Sequence, residues 1–141
     1  MFFSQRRMPI LITVLLSLSI LLAACGGSSS KTVDVQVTLS DFKIQSSLTD
    51  FQSGVAYHFT IKNDGSVAHE FRIIPPMSSQ STQEQITSAT LAYVDQSQLQ
   101  PGQTATLDYT FTQAYPAGQL EFACHLPGHY DAGMHLGITV K

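Results

Sequence analysis

The sequence predicts an all-β domain, an antiparallel sandwich of two sheets with one short crossing helix. Two observations indicate this fold. Short segments alternate apolar and polar residues, and turn signals separate them at roughly even spacing. A chain of 141 residues is long enough to bury a single hydrophobic core. We therefore expect one folded domain in this chain.

The N-terminus has the order of a secretory signal. A basic pair, Arg6 and Arg7, precedes an apolar run from Ile10 to Ala24, which is short for a membrane-spanning helix. The run closes on LAAC, followed by GGSSSK, and this junction resembles the lipobox of bacterial lipoproteins, with Cys25 as the lipidated residue. An uncleaved N-terminal anchor is the alternative. In both cases we expect an exported, tethered domain.

This interpretation divides the chain into a lipoprotein signal peptide, a lipidated tether and a folded domain, at residues 1–24, 25–31 and 32–141. We expect the domain to be lipid-anchored at a bacterial membrane and to face the periplasm or the cell exterior. Only 12% of the residues are charged, and removing the two signal arginines leaves five basic residues (7 − 2) against ten acidic ones. The composition therefore gives no sign of the basic surface that a nucleic-acid partner would require.

The strands follow one another along the domain. In TVDVQVTL, the apolar residues Val33, Val35, Val37 and Leu39 occupy one face, which is the period of a half-buried strand. Further strands are expected in VAYHFTIKNDG, VAHEFRII, PGQTATLDYTF, GQLEFAC and LGITVK, several of them bounded by Asn, Asp, Gly or Pro turn signals.

Residues 77–99 lack this alternation. Ser81 with Glu84, and Thr82 with Gln85, both fit a helix capping box. Downstream of them, four residues fall at helical spacing: Ile86, Ala89, Thr90 and Tyr93. We expect a short helix here that crosses between the two sheets.

The segment CHLPGHYDAGM concentrates soft and borderline metal donors. Cys124, His129 and Met134 are spaced by five residues, and Pro127-Gly128 can turn the chain so that the first two converge. Thiolate, imidazole and thioether suit copper, and a trigonal copper site needs one more histidine. His69 is the candidate, because it shares the inward face of its expected strand with Phe71 and Ile73. If Cys25 carries lipid, Cys124 has no disulfide partner.

The two segments NDGSVAHEF and CHLPGHYDAGM resemble the motifs of the cupredoxins, the small type 1 (blue) copper domains. The resemblance covers roughly Val33 to Lys141. It implies a Greek-key β-sandwich that binds one copper ion and transfers electrons. It also implies that His69, Cys124 and His129 are the equatorial ligands, that Met134 is the axial ligand, and that His129 lies near the surface.

Four other residues invite assignment as ligands, and we expect none of them to bind the metal: His58, Met77, His125 and His135.

The expected function is a monomeric electron carrier that docks to redox protein partners. Copper storage, delivery or resistance is the alternative, although it usually goes with methionine- or histidine-rich tracts. The sequence contains no second metal cluster, acid/base pair or nucleophile triad, so we expect neither an enzyme nor a small-molecule substrate.

Overall fold

The computed structural model describes residues 31–141, so the predicted signal peptide, Cys25 and most of the tether lie outside the described residues. The described chain contains nine strands, one α-helix and one 3₁₀ turn at Gln96–Gln98. In order, the elements are β1 (Val33–Ser40), β2 (Lys43–Ser46), β3 (Asp50–Phe51), β4 (Ala56–Asn63), β5 (Phe71–Ile74), α1 (Gln83–Ala89), β6 (Ala92–Val94), β7 (Thr104–Thr110), β8 (Tyr115–Ala123) and β9 (His135–Val140).

The strands form two sheets, with the orders β2-β1-β4-β7 and β3-β9-β8-β5-β6. The predicted all-β sandwich with one short helix is therefore confirmed. The expected antiparallel pairing holds for five of the seven strand pairs, whereas β1 pairs with β4 and β3 pairs with β9 in parallel. After the β1–β2 hairpin, the chain crosses to the other sheet at β3 and returns in β4 alongside β1. Alternation within a strand reports which face is buried, not the direction of the neighbouring strand.

The core lies between the sheets and is rich in aromatic rings. In β1, Val35, Val37 and Leu39 are buried as expected, whereas Val33 is exposed at the start of the strand. Phe51 lies at the centre of the core. Its ring centroid is 5.0–5.9 Å from those of four other rings, Tyr57, Phe59, Phe111 and Phe122. Cys124 and Met134 belong to the same buried cluster, so the core supports the end of the sandwich where the donors lie.

The helix is shorter than its sequence pattern suggested. Thr82 caps it through the second of the two predicted boxes, and Ile86 is its only buried residue. The helix ends at Ala89, and Tyr93 lies in β6, because the Leu91 N–H donates to the Ile73 carbonyl at 2.8 Å and returns the chain to the sheet.

The position of α1 also differs from the prediction. It connects β5 to β6, which are neighbours in one sheet, so it does not cross between the sheets. Ile86 instead packs with Ile74 and Ala123 in a small cluster separate from the main core. In the described part of the chain, no helix is long and apolar enough to span a membrane.

Candidate metal centre

Three of the four predicted ligands converge at one end of the sandwich. The Nδ1 atoms of His69 and His129 are 3.2 Å apart, and Cys124 Sγ is 3.4 Å from His129 Nδ1. One donor atom from each residue lies within 4.8 Å of the others. His69 and Cys124 are fully buried, and His129 is partly exposed. Residues 60 positions apart in the chain therefore present imidazole and thiol donors to a single point.

The loop that carries two of these donors is closed by backbone hydrogen bonds. The Cys124 N–H donates to the Met134 carbonyl at 3.1 Å, and the Met134 N–H donates to the His129 carbonyl at 3.1 Å. The His129 N–H donates in turn to the Leu126 carbonyl at 3.0 Å. Gly128 has a φ of 82°, a left-handed conformation that favours glycine, and so permits the turn between Cys124 and His129. Met134 is fully buried at the end of this loop.

His69 does not lie within a strand, contrary to the prediction that it shares an inward strand face with Phe71. It lies two residues before β5, and its N–H donates to the Leu99 carbonyl at 3.2 Å. The buried Asn63 holds the preceding turn. Its Nδ2 donates to the carbonyls of Val67 and Leu99 at 2.8 and 2.7 Å, and its Oδ1 accepts from the Gly65 N–H at 2.8 Å. The Asn-Asp-Gly signal thus marks a turn that positions His69.

Burial sets the protonation of the donors. It raises the pKa of the Cys124 thiol to about 11, although the backbone N–H groups of Glu70 and Leu126 favour the thiolate. Burial also lowers the pKa of His69 and of His129, and for His69 the neighbouring His129 acts in the same direction. Neutral imidazoles are the form that binds metals. A bound metal must displace the thiol proton, so binding releases a proton.

Two neighbours of the donors were missed at the level of sequence. Asp41 Oδ1 lies 3.6 Å from His69 Nε2, and the Phe42 ring meets the His129 ring edge-on with centroids 5.1 Å apart. Phe42 has a φ of 63°, which is uncommon for a residue with a side chain. Both residues lie in the turn between β1 and β2. The sequence prediction did not include the short strand β2, and therefore gave no reason to place this turn at the site.

The other candidate side chains lie away from the three donors. The His125 ring stacks on Tyr130 with centroids 4.5 Å apart, and Tyr130 stacks on His135 at 4.7 Å. His58 Nδ1 is 2.6 Å from the Asp108 carboxylate, and Met77 packs against the cluster around Ile86. Within residues 31–141, only His69, Cys124 and His129 form a group of three that could hold a metal ion.

Solved structures share this architecture, although no protein-family model matches the chain. Dithionite-reduced auracyanin from Roseiflexus castenholzii superposes with a TM-score of 0.55 at 19% identity, covering 82% of this chain and 99% of auracyanin. Rusticyanin from Thiobacillus ferrooxidans gives a TM-score of 0.54 at 23% identity, covering 80% of this chain and 79% of rusticyanin. Both are blue copper cupredoxins. The chain has the cupredoxin fold. This fold confirms the Greek-key sandwich that the motifs implied.

The cupredoxin domain also has a curated relative in sequence. The copper-resistant cuproprotein CopI of Pseudomonas aeruginosa is 28% identical over 139 residues, which cover 76% of this chain and 75% of the relative. The donor set fits copper on chemical grounds, since thiolate and thioether ligands select soft ions and imidazole suits copper in both oxidation states. The cupredoxin fold, the copper-protein relative and the three convergent donors together support one copper ion as the cofactor.

Proposed function

We propose that this protein is a type 1 copper protein that carries electrons by cycling one copper ion between Cu(I) and Cu(II). The observation that carries the proposal is the convergence of His69, Cys124 and His129 within 4.8 Å at a buried position. His69, Cys124 and His129 would hold the ion, and the thioether of Met134 would be a further, weaker ligand. Bound there, copper supplies a one-electron redox couple.

The protein holds the ligands in fixed positions and keeps water away from them. An electron carrier works fastest when its ligands move little between oxidation states. The hydrogen bonds that close the Cys124–Met134 loop and the Asn63 side chain that braces the His69 turn restrict such movement. Phe71 and Phe122 are fully buried in the core that contains Cys124, and they limit the access of water to the thiolate.

His129 is the donor best placed to exchange electrons with a partner. It is partly exposed, whereas His69, Cys124 and Met134 are fully buried. Phe42, with 43% of its surface exposed, packs edge-on against the His129 ring. We propose that redox protein partners dock at this end of the sandwich. We further propose that the protein is a monomer without enzymatic activity, small-molecule substrate or nucleic-acid partner.

We propose that the domain lies outside the cytoplasm, anchored through lipid on Cys25 at the outer face of a bacterial membrane. The LAAC junction supports the anchor.

Copper resistance is a second candidate function, because the relative from Pseudomonas aeruginosa is a copper-resistant cuproprotein. In that case the same donors would sequester copper rather than pass electrons.

A visible spectrum of the Cu(II)-loaded full-length protein tests the copper site. We expect an intense thiolate-to-copper band that reductant bleaches reversibly. The Cys124→Ser variant should lose the band, and the matched Cys25→Ser variant should keep it while leaving the membrane fraction. A colourless wild-type protein, or a band that survives Cys124→Ser, contradicts the type 1 assignment.

A second measurement separates the two functions. An electron carrier should exchange electrons rapidly between its own oxidised and reduced forms, and deletion of its gene should impair a respiratory or photosynthetic electron chain. A resistance protein should bind copper tightly, and its deletion should reduce growth only at elevated copper. If electron exchange is slow and deletion reduces growth only at elevated copper, copper resistance becomes the favoured function.

A further inference from the structure

One buried atom of the metal centre lacks a hydrogen-bond partner among the described residues. His69 is fully buried, and its Nδ1 faces the Nδ1 of His129. The opposite ring nitrogen, Nε2, is buried without a hydrogen bond. If Nδ1 binds a metal, the ring proton must reside on Nε2. A buried N–H without an acceptor is costly, so the surroundings of Nε2 become important.

Asp41 presents a carboxylate to this nitrogen. Its Oδ1 lies 3.6 Å from His69 Nε2, slightly beyond hydrogen-bonding distance. Ser66 fixes the same carboxylate from the other side, because its N–H donates to Oδ1 at 2.9 Å and its hydroxyl donates to Oδ2 at 2.6 Å. The turn after β1 and the turn after β4 are thus joined beside the imidazole ring.

Gly65 makes the approach of these two groups possible. A Cβ atom at this position would lie 2.5 Å from Asp41 Oδ1 and 2.8 Å from His69 Nε2. Real side chains do not tolerate such distances. The glycine therefore leaves room for the carboxylate and the ring nitrogen to face each other, and any larger residue would push them apart.

We infer that Asp41 is a positioning residue for the metal centre, which holds the His69 proton on Nε2, leaves Nδ1 free for copper and favours Cu(II) over Cu(I). This inference rests on the proposed copper function. A carboxylate behind a metal-binding imidazole fixes the tautomer and makes the ring a stronger donor. Its negative charge also stabilises the more highly charged ion. The Asp41 carboxylate, in the turn between β1 and β2, should therefore lower the reduction potential of the bound copper.

The test compares two charge-neutralising variants of the copper-loaded full-length protein. Losing such a partner costs about 10- to 100-fold in metal affinity, and the partial exposure of Asp41 favours the lower end. Asp41→Asn should therefore weaken Cu(II) binding about tenfold relative to Cu(I), which for a one-electron couple is a rise of about 59 mV in reduction potential. The matched control is Asp64→Asn, whose carboxylate pairs instead with Lys62 Nζ at 2.7 Å. Equal shifts in both variants, or none in Asp41→Asn, overturn the inference.

A metal-free measurement gives an independent result. Nitrogen NMR of the imidazole rings should show His69 as the Nε2–H tautomer in the wild-type protein and as a mixture in Asp41→Asn.

If Asp41→Asn does not fold, the copper-loaded Ser66→Ala variant replaces it. This variant keeps the carboxylate but removes one of its anchors, and it should raise the reduction potential by less than Asp41→Asn would. A wild-type protein without a thiolate band contradicts the proposed type 1 function, whereas a normal band with unchanged potential and tautomer contradicts only the role of Asp41.

Discussion

The backbone N–H of His125 donates a hydrogen bond of 2.9 Å to the buried carboxylate of Glu70. Glu70 directly follows His69, and His125 directly follows Cys124, so this bond ties together the two chain segments that supply the donors. Arg72 holds the same carboxylate from the side, through Nε at 2.7 Å and Nη2 at 3.0 Å. The bidentate pair is almost fully buried and fixes the position of the carboxylate.

Glu70→Gln should strongly destabilise the protein, because it leaves the buried guanidinium of Arg72 without its ion-pair partner. Breaking a buried ion pair from one side costs about 3–5 kcal/mol in free energy of unfolding. Urea denaturation measures this directly. The double variant Glu70→Gln/Arg72→Met removes both charges and should recover most of the loss. A single variant as stable as the wild type would show that the pair contributes little.

Gly65→Ala should destabilise the fold by about 1–3 kcal/mol, the usual cost of overpacking. The added Cβ would overlap Asp41 and His69, so the variant should also weaken copper binding. Gly137→Ala is the matched control, since a Cβ there meets no atom within 4 Å. Thermal unfolding and copper titration of both variants check the prediction. Similar losses in the two variants would contradict the close approach at Gly65.

The metal-binding loop could be predicted from sequence because its donors are close together in the chain. Cys124, His129 and Met134 lie on one segment, and the turn between them is marked by Pro127-Gly128. The strands with one buried face could be predicted for the same reason, since alternation is a local signal.

Contacts between distant segments could not be predicted in this way. All four residues of β5 are buried, so the strand shows no alternation, and the buried pair of Glu70 and Arg72 was missed. The Arg72 guanidinium lies 4.0 Å from the centroid of the Tyr93 ring, which places Tyr93 beside β5 instead of on the helix. The approach of Asp41 to His69 likewise depends on two turns that meet only in the folded protein.

Phe51→Ala should cost about 3–5 kcal/mol in free energy of unfolding, because it removes the central ring of the core and leaves a cavity. Phe51 is 1% exposed and packs against four aromatic rings. Phe42→Ala removes a side chain of the same size from an exposed position and should cost much less. Chemical denaturation of both variants tests the difference. Equal losses would place Phe42, not only Phe51, among the residues that stabilise the fold.

Thr82→Ala should cost about 1 kcal/mol, the usual effect of losing a helix N-cap. The Thr82 hydroxyl accepts from the Gln85 N–H at 3.2 Å, and the Gln85 side chain accepts from the Thr82 N–H at 2.8 Å. Ser81→Ala removes the hydroxyl of the competing box and should change stability little. The loss of stability in each variant, measured by thermal unfolding, shows which of the two capping boxes begins the helix. A larger loss for Ser81→Ala would mean that the helix begins one residue earlier in solution.

Glu121→Gln should stabilise the protein at neutral pH. Glu121 is buried in β8, where burial raises its pKa, although a hydrogen bond of 2.7 Å from the Tyr130 hydroxyl and the nearby His135 act in the opposite direction. Because the folded-state pKa lies above the ordinary value of 4.5, the folded protein holds more protons than the unfolded chain between these two values. Stability contributed by the protonated form is therefore lost as the pH rises through this window.

Glutamine carries no charge and keeps an oxygen that accepts from the Tyr130 hydroxyl, so the variant avoids this loss. The difference in free energy of unfolding between Glu121→Gln and the wild type should grow as the pH rises from about 4.5 toward neutrality and should close below it. Urea midpoints measured from acidic to neutral pH give this difference. A gap that stays constant with pH would mean that Glu121 remains ionised in the fold without cost, supported by His135 and Tyr130.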